Sequence, residues 1–262
     1  MDVRPHLPLG ATVDDIDLQA LDADTVRELK DLLAEHGVLV LPGQPIDDTT
    51  FTAALRALGE LTFTVGETPV DGFPDLNVVS NVGRTRPPRS SFHVDTSYVR
   101  QPPAYTALRA VEVPEQGGAT MFSDQRRALA TLPDDVRARI EGRTITHVVT
   151  GLELDDDAET SAEHPIVRAH PRTGQPSLFL TTPPRCAEVS GLEESEAASL
   201  VETLFTHSTR EENLFRHAWR PGDVVVWDNA CVLHAGDHSA VVGDRVFHRG
   251  MVAADGHVAD LA

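Results

Sequence analysis

Apolar positions along the chain follow two periods, and each period predicts one kind of element. Val26, Leu29 and Leu32 recur at the spacing of one helical face, with Asp24-Thr25 before them as an N-cap signal and Gly37 at the end. Comparable patterns recur further along the chain. They predict helices over residues 26–36, 48–58, 134–141 and 193–206, and another short helix beginning at Ser123.

Short apolar runs bounded by Gly and Pro predict strands instead. Val38 to Leu41 is wholly apolar and precedes Pro42-Gly43, which is typical of a buried strand and a turn. Strands are predicted over residues 38–41, 76–79, 92–98, 105–113, 120–122, 144–149, 166–168, 177–180, 224–227 and 245–252. This pattern predicts a mainly β protein with peripheral helices, a β-sandwich or jelly roll, in one domain over residues 1–262. A doubly wound α/β fold is the alternative, but no Gly-x-Gly-x-x-Gly joins a strand to a helix.

The composition narrows the range of partners. The chain has 262 residues, of which 22 are basic and 41 acidic, giving a formal charge of −19 that argues against nucleic acid and anionic membranes. No apolar run approaches the roughly 20 residues that span a bilayer, and the N-terminus lacks a signal-peptide pattern. The two cysteines, Cys186 and Cys231, are far apart. We therefore expect a soluble cytoplasmic protein without disulfides.

The first candidate site residues lie in the predicted strand at residues 92–98. His93 and Asp95 are two residues apart, and such positions point to the same side of a strand. An imidazole nitrogen and a carboxylate oxygen would then meet at one point, as two of the three ligands in the 2-His-1-carboxylate set of non-haem Fe(II). The chain contains 12 histidines, so such a pair also arises by chance, and the remaining ligand has to come from elsewhere.

A third ligand is expected from a distant strand. His234 follows a turn and a buried strand, Pro221 to Trp227, and is the candidate. The spacing alone leaves other histidines open, namely His207, His217, His238 and His248.

Two arginines fit the needs of a dicarboxylate cosubstrate. Arg offers a planar fork for a carboxylate and never loses its charge. Arg245 and Arg249 are four residues apart in a predicted strand, hence on one face. The alternative is a pair of solvent-facing arginines.

Taken together, the chain resembles the taurine/aryloxyalkanoate dioxygenase (TauD/TfdA) family of Fe(II)- and 2-oxoglutarate-dependent oxygenases. The order and spacing of several segments carry the resemblance. These are Phe92 to Asp95, Gln101-Pro102-Pro103, Gly117 to Phe122, His164 to Arg168, His170-Pro171, Pro221 to Asn229, His234, and Arg245 to Arg249.

The resemblance implies a double-stranded β-helix of the jelly-roll, cupin-like type, and it implies a role for each site residue. Fe(II) would be held by His93, Asp95 and His234. Arg249 would bind the distal carboxylate of 2-oxoglutarate with Thr120, and Arg245 would lie near the carboxylate at the iron. The family oxidises small, usually anionic molecules with O2, releasing succinate and CO2.

The substrate is not readable from the sequence. Sulfonate-binding relatives have a His before the H-x-D segment, but residues 61–65 contain none, which argues against taurine. Trp227 would pack beside the metal pocket, Tyr98 would line it, and Arg89 would bind substrate, within a group that also contains Arg84 and Arg86. Residues 62–91 and 152–163 are predicted lids.

Two other function classes remain at this stage. A Zn(II) hydrolase could use the same three ligands but would have no use for Arg249 and Thr120. The second class is a protein that binds metal and 2-oxoglutarate without catalysing a reaction. Within the oxygenase class, hydroxylation is expected, with desaturation, epoxidation and oxidative cleavage open.

Overall fold

The computed structural model describes residues 1–64, 66–84, 91–151, 154 and 158–254. Its five α-helices in these ranges are α1 Ala23–His36, α2 Asp48–Leu58, α3 Gln125–Ala130, α4 Asp134–Ile140 and α5 Glu194–Ser208. Two single turns of 3-10 helix are Pro183–Arg185 and Glu211–Asn213. None of the described helices is both long and apolar enough to cross a bilayer.

Short strands make up most of the regular structure. In the first half they are β1 Asp2–Pro5, β2 Ala11–Asp14, β3 Val38–Leu41, β4 Leu61–Thr62, β5 Pro69–Val70, β6 Phe73–Ser80, β7 Tyr105–Glu112 and β8 Thr120–Asp124. In the second half they are β9 Thr144–Val148, β10 Ser161–Pro165, β11 Val167–Ala169, β12 Pro176–Leu178, β13 Cys186–Val189, β14 Leu214–His217, β15 Val224–Asp228, β16 Val232–Gly236 and β17 Val246–Val252.

The described strands form one large sheet and three smaller ones, of which β14-β8-β16 is called the small sheet below. The large sheet has the order β1-β2-β3-β15-β7-β17-β6-β5, with β4 also pairing with β17. The small sheet has the order β14-β8-β16, and β10-β9-β13 and the hairpin β11-β12 are separate from both in strand pairing. Consecutive strands often belong to different sheets, as β15 and β16 do, which is the connectivity of a jelly roll.

The alternation of side chains along β3 and β15 explains the layers. Leu39 and Leu41 join one apolar cluster with Leu33 of α1 and Phe51 of α2, so the helices cover the outer face of the large sheet. The alternate residues of β3 and β15 face the other way, into a second cluster. That cluster also takes residues from the small sheet. Its largest fully buried members are Trp227, Phe122 and Phe247.

The structure therefore confirms the predicted jelly roll with peripheral helices. Phe122 of β8 packs on Trp227 of β15 with ring centroids 5.3 Å apart, so the core fills the space between the two sheets. The hairpin at residues 166–180 is also confirmed, since Val167 pairs with Leu178.

Several predicted boundaries were wrong. Residues 92–98 are not a strand: only His93 pairs, in a single bridge to His234, and Thr96 has a φ of +49° that a strand does not allow. α1 begins three residues early because the carboxylate of Asp22, not Asp24, accepts from Thr25 N. α3 begins after Ser123 because that residue still pairs with Leu233.

Candidate active site

A pair of histidines lies where the small sheet ends. His93 and His234 exchange two backbone hydrogen bonds of 3.0 Å, which extends the small sheet by one residue beyond β16. Their rings are consequently adjacent, with centroids 4.3 Å apart and their planes tilted by 42°. Two residues that are 141 positions apart in the sequence thus present their imidazoles together.

Asp95 completes the group after the chain leaves this bridge. Its carboxylate oxygens lie 3.6 Å from His93 Nε2 and 3.6 Å from His234 Nε2. The hydroxyl of Thr106 in β7 donates to Asp95 Oδ2 over 2.9 Å, and Arg249 Nη1 donates to Oδ1 over 3.0 Å. These two donors, rather than the pleat of a strand, set the direction of the carboxylate.

The protonation states suit a cation. His93 Nδ1 lies 2.8 Å from the carbonyl oxygen of Ser91, which only accepts, so Nδ1 donates a proton there and Nε2 is the nitrogen that faces Asp95. Burial lowers the pKa of His234 to about 3, which keeps this imidazole neutral. Burial alone would raise the pKa of Asp95, but Arg249, followed by the two histidines, holds that pKa well below its ordinary value.

The donor set fits Fe(II). One atom from each of His93, Asp95 and His234 lies within 4.8 Å of the others, which gives two imidazole nitrogens and one carboxylate oxygen. This is the facial 2-His-1-carboxylate arrangement of non-haem iron sites, which leaves the remaining coordination positions open.

A second group of potential donors in the described ranges is His170, Asp228 and Cys231. It does not suit a metal. His170 Nδ1 accepts from two backbone N–H groups, so Nε2 carries the proton and donates it to Asp228 Oδ2 over 2.9 Å. Burial raises the pKa of the Cys231 thiol well above its ordinary value, so no thiolate is available.

A buried guanidinium lies immediately before β17. Arg245 is 2% exposed, and it donates from Nε to the carbonyl oxygen of Gly118 over 3.0 Å and from Nη2 to Thr120 Oγ1 over 3.4 Å. Gly118 has a φ of +74°, and a Cβ there would lie 3.1 Å from Arg245 Cδ and 2.8 Å from Pro114. The glycine therefore leaves the space that this arginine occupies.

Arg245 and the hydroxyl of Thr120 both lack an anionic partner among the described residues. Thr120 Oγ1 also accepts from Trp219 Nε1 over 3.0 Å, so its own proton is left to donate, and no described residue accepts it. Burial lowers the pKa of Arg245 to about 10, and no carboxylate among the described residues pairs with it. A buried cation beside a free hydroxyl donor suits a carboxylate.

The second arginine, Arg249, lies at the metal group itself. Besides donating to Asp95, it donates from Nη2 to Glu67 Oε2. Burial alone would lower the pKa of Arg249, but these two carboxylates raise it. The sequence led us to place Thr120 with Arg249; the structure places it with Arg245, because four residues along an extended strand separate the two guanidiniums.

The predicted substrate residues have different surroundings. Trp227 is fully buried, and its ring packs on His234 with centroids 4.5 Å apart, so it supports a predicted metal ligand from within the core. Tyr98 is also buried, in a turn rather than on a strand, and burial raises its pKa. Arg84 is exposed and donates to Ser80 O. Arg86 and Arg89 lie outside the described residues.

The two predicted lids contain regular structure. The first, residues 62–91, contains β5 and β6, and β6 pairs with β17 beside the site, so this segment is not a loop throughout. The second, 152–163, ends in β10, which pairs with β9. Residues 65, 85–90, 152, 153 and 155–157 lie outside the described residues.

Sequence reasoning missed four polar residues that touch the site. Trp219 donates to Thr120, and Glu67 accepts from Arg249. Thr106 orients Asp95, and Asn229 Nδ2 donates to Thr106 Oγ1 over 2.9 Å. Only Asn229, which follows Trp227-Asp228, stood inside a recognised segment.

Comparisons with known proteins agree with this geometry. The family model described as taurine catabolism dioxygenase TauD, TfdA family, matches residues 2–251. The chain is 32% identical to the alpha-ketoglutarate-dependent 2,4-dichlorophenoxyacetate dioxygenase of Cupriavidus pinatubonensis, over 95% of this chain and 96% of that protein. It superposes on a taurine dioxygenase from Burkholderia xenovorans with a TM-score of 0.84, at 28% identity over 97% of this chain and 91% of that one. The chain therefore belongs to the TauD/TfdA family and is an Fe(II)- and 2-oxoglutarate-dependent dioxygenase.

Proposed function

We propose that the protein hydroxylates a small organic anion, such as a carboxylate-bearing or amino-acid-like metabolite, and releases succinate and CO2. The observation that carries the proposal is the position of Arg249, a permanent cation that touches the predicted metal ligand Asp95. Named relatives act on 2,4-dichlorophenoxyacetate, (S)-phenoxypropionate and a sulfate ester, each of which carries an anionic group.

The metal would be held by His93, Asp95 and His234. When bound, Fe(II) supplies O2 activation coupled to the oxidative decarboxylation of 2-oxoglutarate. The contribution of the chain is to keep the His234 imidazole neutral by burial, to keep the Asp95 carboxylate ionised through Arg249, and to orient His93 and Asp95 through Ser91 and Thr106.

Arg245 and Thr120 would bind the distal carboxylate of 2-oxoglutarate. This carboxylate is separated from the chelating end by two methylene groups, so its partner must lie away from the metal ligands. Arg245 meets that condition, because its hydrogen bonds are to Gly118 and Thr120 and not to the metal group. Trp219 would hold the hydroxyl of Thr120 so that its proton faces the carboxylate.

Arg249 would bind the anionic end of the substrate. Its guanidinium is next to Asp95 and is therefore too close to the metal to serve the distal carboxylate. The half-exposed carboxylate of Glu67 also pairs with it. An anionic substrate would replace Glu67 there and would thereby place its adjacent carbon atoms beside the metal.

Matched acid and amide substrates test the proposal. Succinate formation and the gain of one oxygen atom would be followed by mass spectrometry for aryloxyacetic acids, α-amino acids and their primary amides. We expect turnover of an acid but not of its amide, and loss of that preference in Arg249→Gln but not in Arg56→Gln, whose guanidinium lies at the surface. Equal turnover of acid and amide by the unaltered protein would contradict the proposal.

A further inference from the structure

A second cavity, of about 370 Å³, lies at the junction of the large sheet and the β11–β12 hairpin. The residues that matter in its wall are Pro102, Tyr105, Arg168, Phe179, Asp228 and Ala230. None of the three predicted metal ligands lines it, nor do Thr120, Arg245 or Arg249. It is therefore separate from the site described above.

Arg168 is the unusual residue of this cavity. Its guanidinium carbon lies 4.2 Å from the centre of the Phe179 ring, and within the described ranges it has neither a carboxylate partner nor a hydrogen-bond acceptor. Burial lowers its pKa, and no neighbouring charge opposes that effect. Arg168 is partly buried, and a cation partly removed from water without a partner is less stable than one with an anion beside it.

Other buried or partly buried arginines of the chain show the usual arrangement. Arg126 donates to Asp124 and to two helix carbonyls, and Arg109 forms an ion pair with Asp48 over 2.7 Å. The exception besides Arg168 is Arg245, which the proposed function pairs with a carboxylate. Arg168 and Arg245 therefore share one property: no carboxylate of the described residues pairs with either guanidinium.

The cavity wall indicates which anion fits. Pro102, Pro103 and Pro171 supply apolar surface, and Tyr105 adds an aromatic ring. Asp228 also lines the cavity, and its carboxylate is already bonded to His170 and to the backbone N–H of Ala230. This fixed negative charge repels a dianion such as phosphate more strongly than a monocarboxylate, and the apolar wall suits a ligand with an apolar body.

We propose that this cavity binds a monocarboxylate with a flat apolar body, with its carboxylate on Arg168 and its body against the proline and tyrosine side chains. This site does not depend on the proposed function. It is nevertheless close to the metal group, because Asn229 in its wall donates to Thr106 Oγ1, which donates to Asp95.

Calorimetric titration with benzoate tests the proposal. The protein would be loaded anaerobically with Fe(II) and 2-oxoglutarate, so that Arg245 is occupied, and would carry Arg249→Gln, so that the other site cannot bind the probe. We expect saturable binding of benzoate, and none of the neutral analogue benzamide. Arg168→Gln should weaken benzoate binding about tenfold or more, and Arg168→Lys less.

Ala230→Leu provides a second variant, since it fills the cavity without removing the charge. It should also abolish binding, while Arg56→Gln, at the surface, should leave binding unchanged. Circular dichroism would establish that each variant is folded. Benzoate binding that persists unchanged in both Arg168→Gln and Ala230→Leu, or no benzoate binding in the Arg249→Gln background, would overturn the proposal.

Discussion

Arg249 donates to Asp95 Oδ1 over 3.0 Å, so a permanent cation lies directly against the carboxylate that is predicted to bind the metal. Arg245, four residues earlier on the same face, lies instead with Thr120. The two arginines therefore have different surroundings, one at the metal group and one in a separate carboxylate pocket. This division underlies the proposed roles.

The Arg249–Asp95 pair should contribute to stability even without metal. Asp95→Asn leaves Arg249 buried with only Glu67 as a charged partner, so the free energy of unfolding of the metal-free protein should fall by about 2–4 kcal/mol. Asp75→Asn breaks an exposed pair with Arg56 and should change it by less than about 1 kcal/mol. Urea unfolding measures both. Equal losses of unfolding free energy in the two variants would contradict the claim that the buried pair contributes more to stability than the exposed one.

Gly118 should be needed for the pocket of Arg245. Gly118→Ala puts a Cβ against Arg245 at a φ of +74°, so it should both lower stability by about 1–2 kcal/mol and weaken 2-oxoglutarate binding about tenfold. Gly142→Ala is the control, because φ is +67° there and no atom lies within 4 Å of the added Cβ. Gly142→Ala should lower the stability without changing the affinity for 2-oxoglutarate. Unchanged 2-oxoglutarate affinity in Gly118→Ala would contradict the placement of Arg245.

Trp219 should act through Thr120. Trp219→Phe removes the N–H that Thr120 Oγ1 accepts, so 2-oxoglutarate affinity should fall by about 1 kcal/mol, roughly fivefold. In Trp227→Phe the lost indole N–H has no partner among the described residues, so the same volume change removes no hydrogen bond. Calorimetry on the Fe(II)-loaded proteins separates them. An equal loss of affinity in both variants would assign the effect to packing.

His147 should make the fold sensitive to mild acid. Burial, together with the charges of His164 and Arg168, lowers the pKa of His147 from 6.5 to about 3. Between those values the unfolded chain binds a proton that the folded protein does not, so stability falls as pH falls. For His147 alone the loss is about 1.4 kcal/mol per pH unit below 6.5.

His147→Phe keeps a ring against Phe179 and removes this titration. In urea unfolding of the metal-free protein, the variant should gain about 1.4 kcal/mol relative to the unaltered protein between pH 8 and pH 5.5. A difference between the two proteins that does not change with pH would contradict this account.

The sequence was a good guide where neighbouring residues determine the structure. The apolar run Val38 to Leu41 and the helical spacing around Leu29 each have a local cause, and both elements were predicted. The spacing of His93 and Asp95 pointed to a metal group, but for the wrong local reason. The positive φ of Thr96 ends the extended backbone, and Thr106 and Arg249 orient the carboxylate.

Long-range contacts could not be read in the same way. Strand periodicity puts Arg245 and Arg249 on one face, but it does not say which lies beside Thr120, 125 residues from Arg245 in sequence. Glu67 and Trp219 had no local signal, since each acts on a residue about a hundred or more positions away. The family assignment, rather than any single residue, removes the hydrolase and non-catalytic alternatives.

The division of roles between the two arginines is tested most directly by the visible difference spectrum of the anaerobic protein with Fe(II) and 2-oxoglutarate. A weak metal-to-ligand charge-transfer band should form in the unaltered protein and in Arg249→Gln. In Arg245→Gln it should require far more 2-oxoglutarate. Carboxylate substrates should perturb the band in the unaltered protein but not in Arg249→Gln. A band that forms normally in Arg245→Gln and is lost in Arg249→Gln would contradict the account. It would show instead that Arg249 binds the distal carboxylate of 2-oxoglutarate.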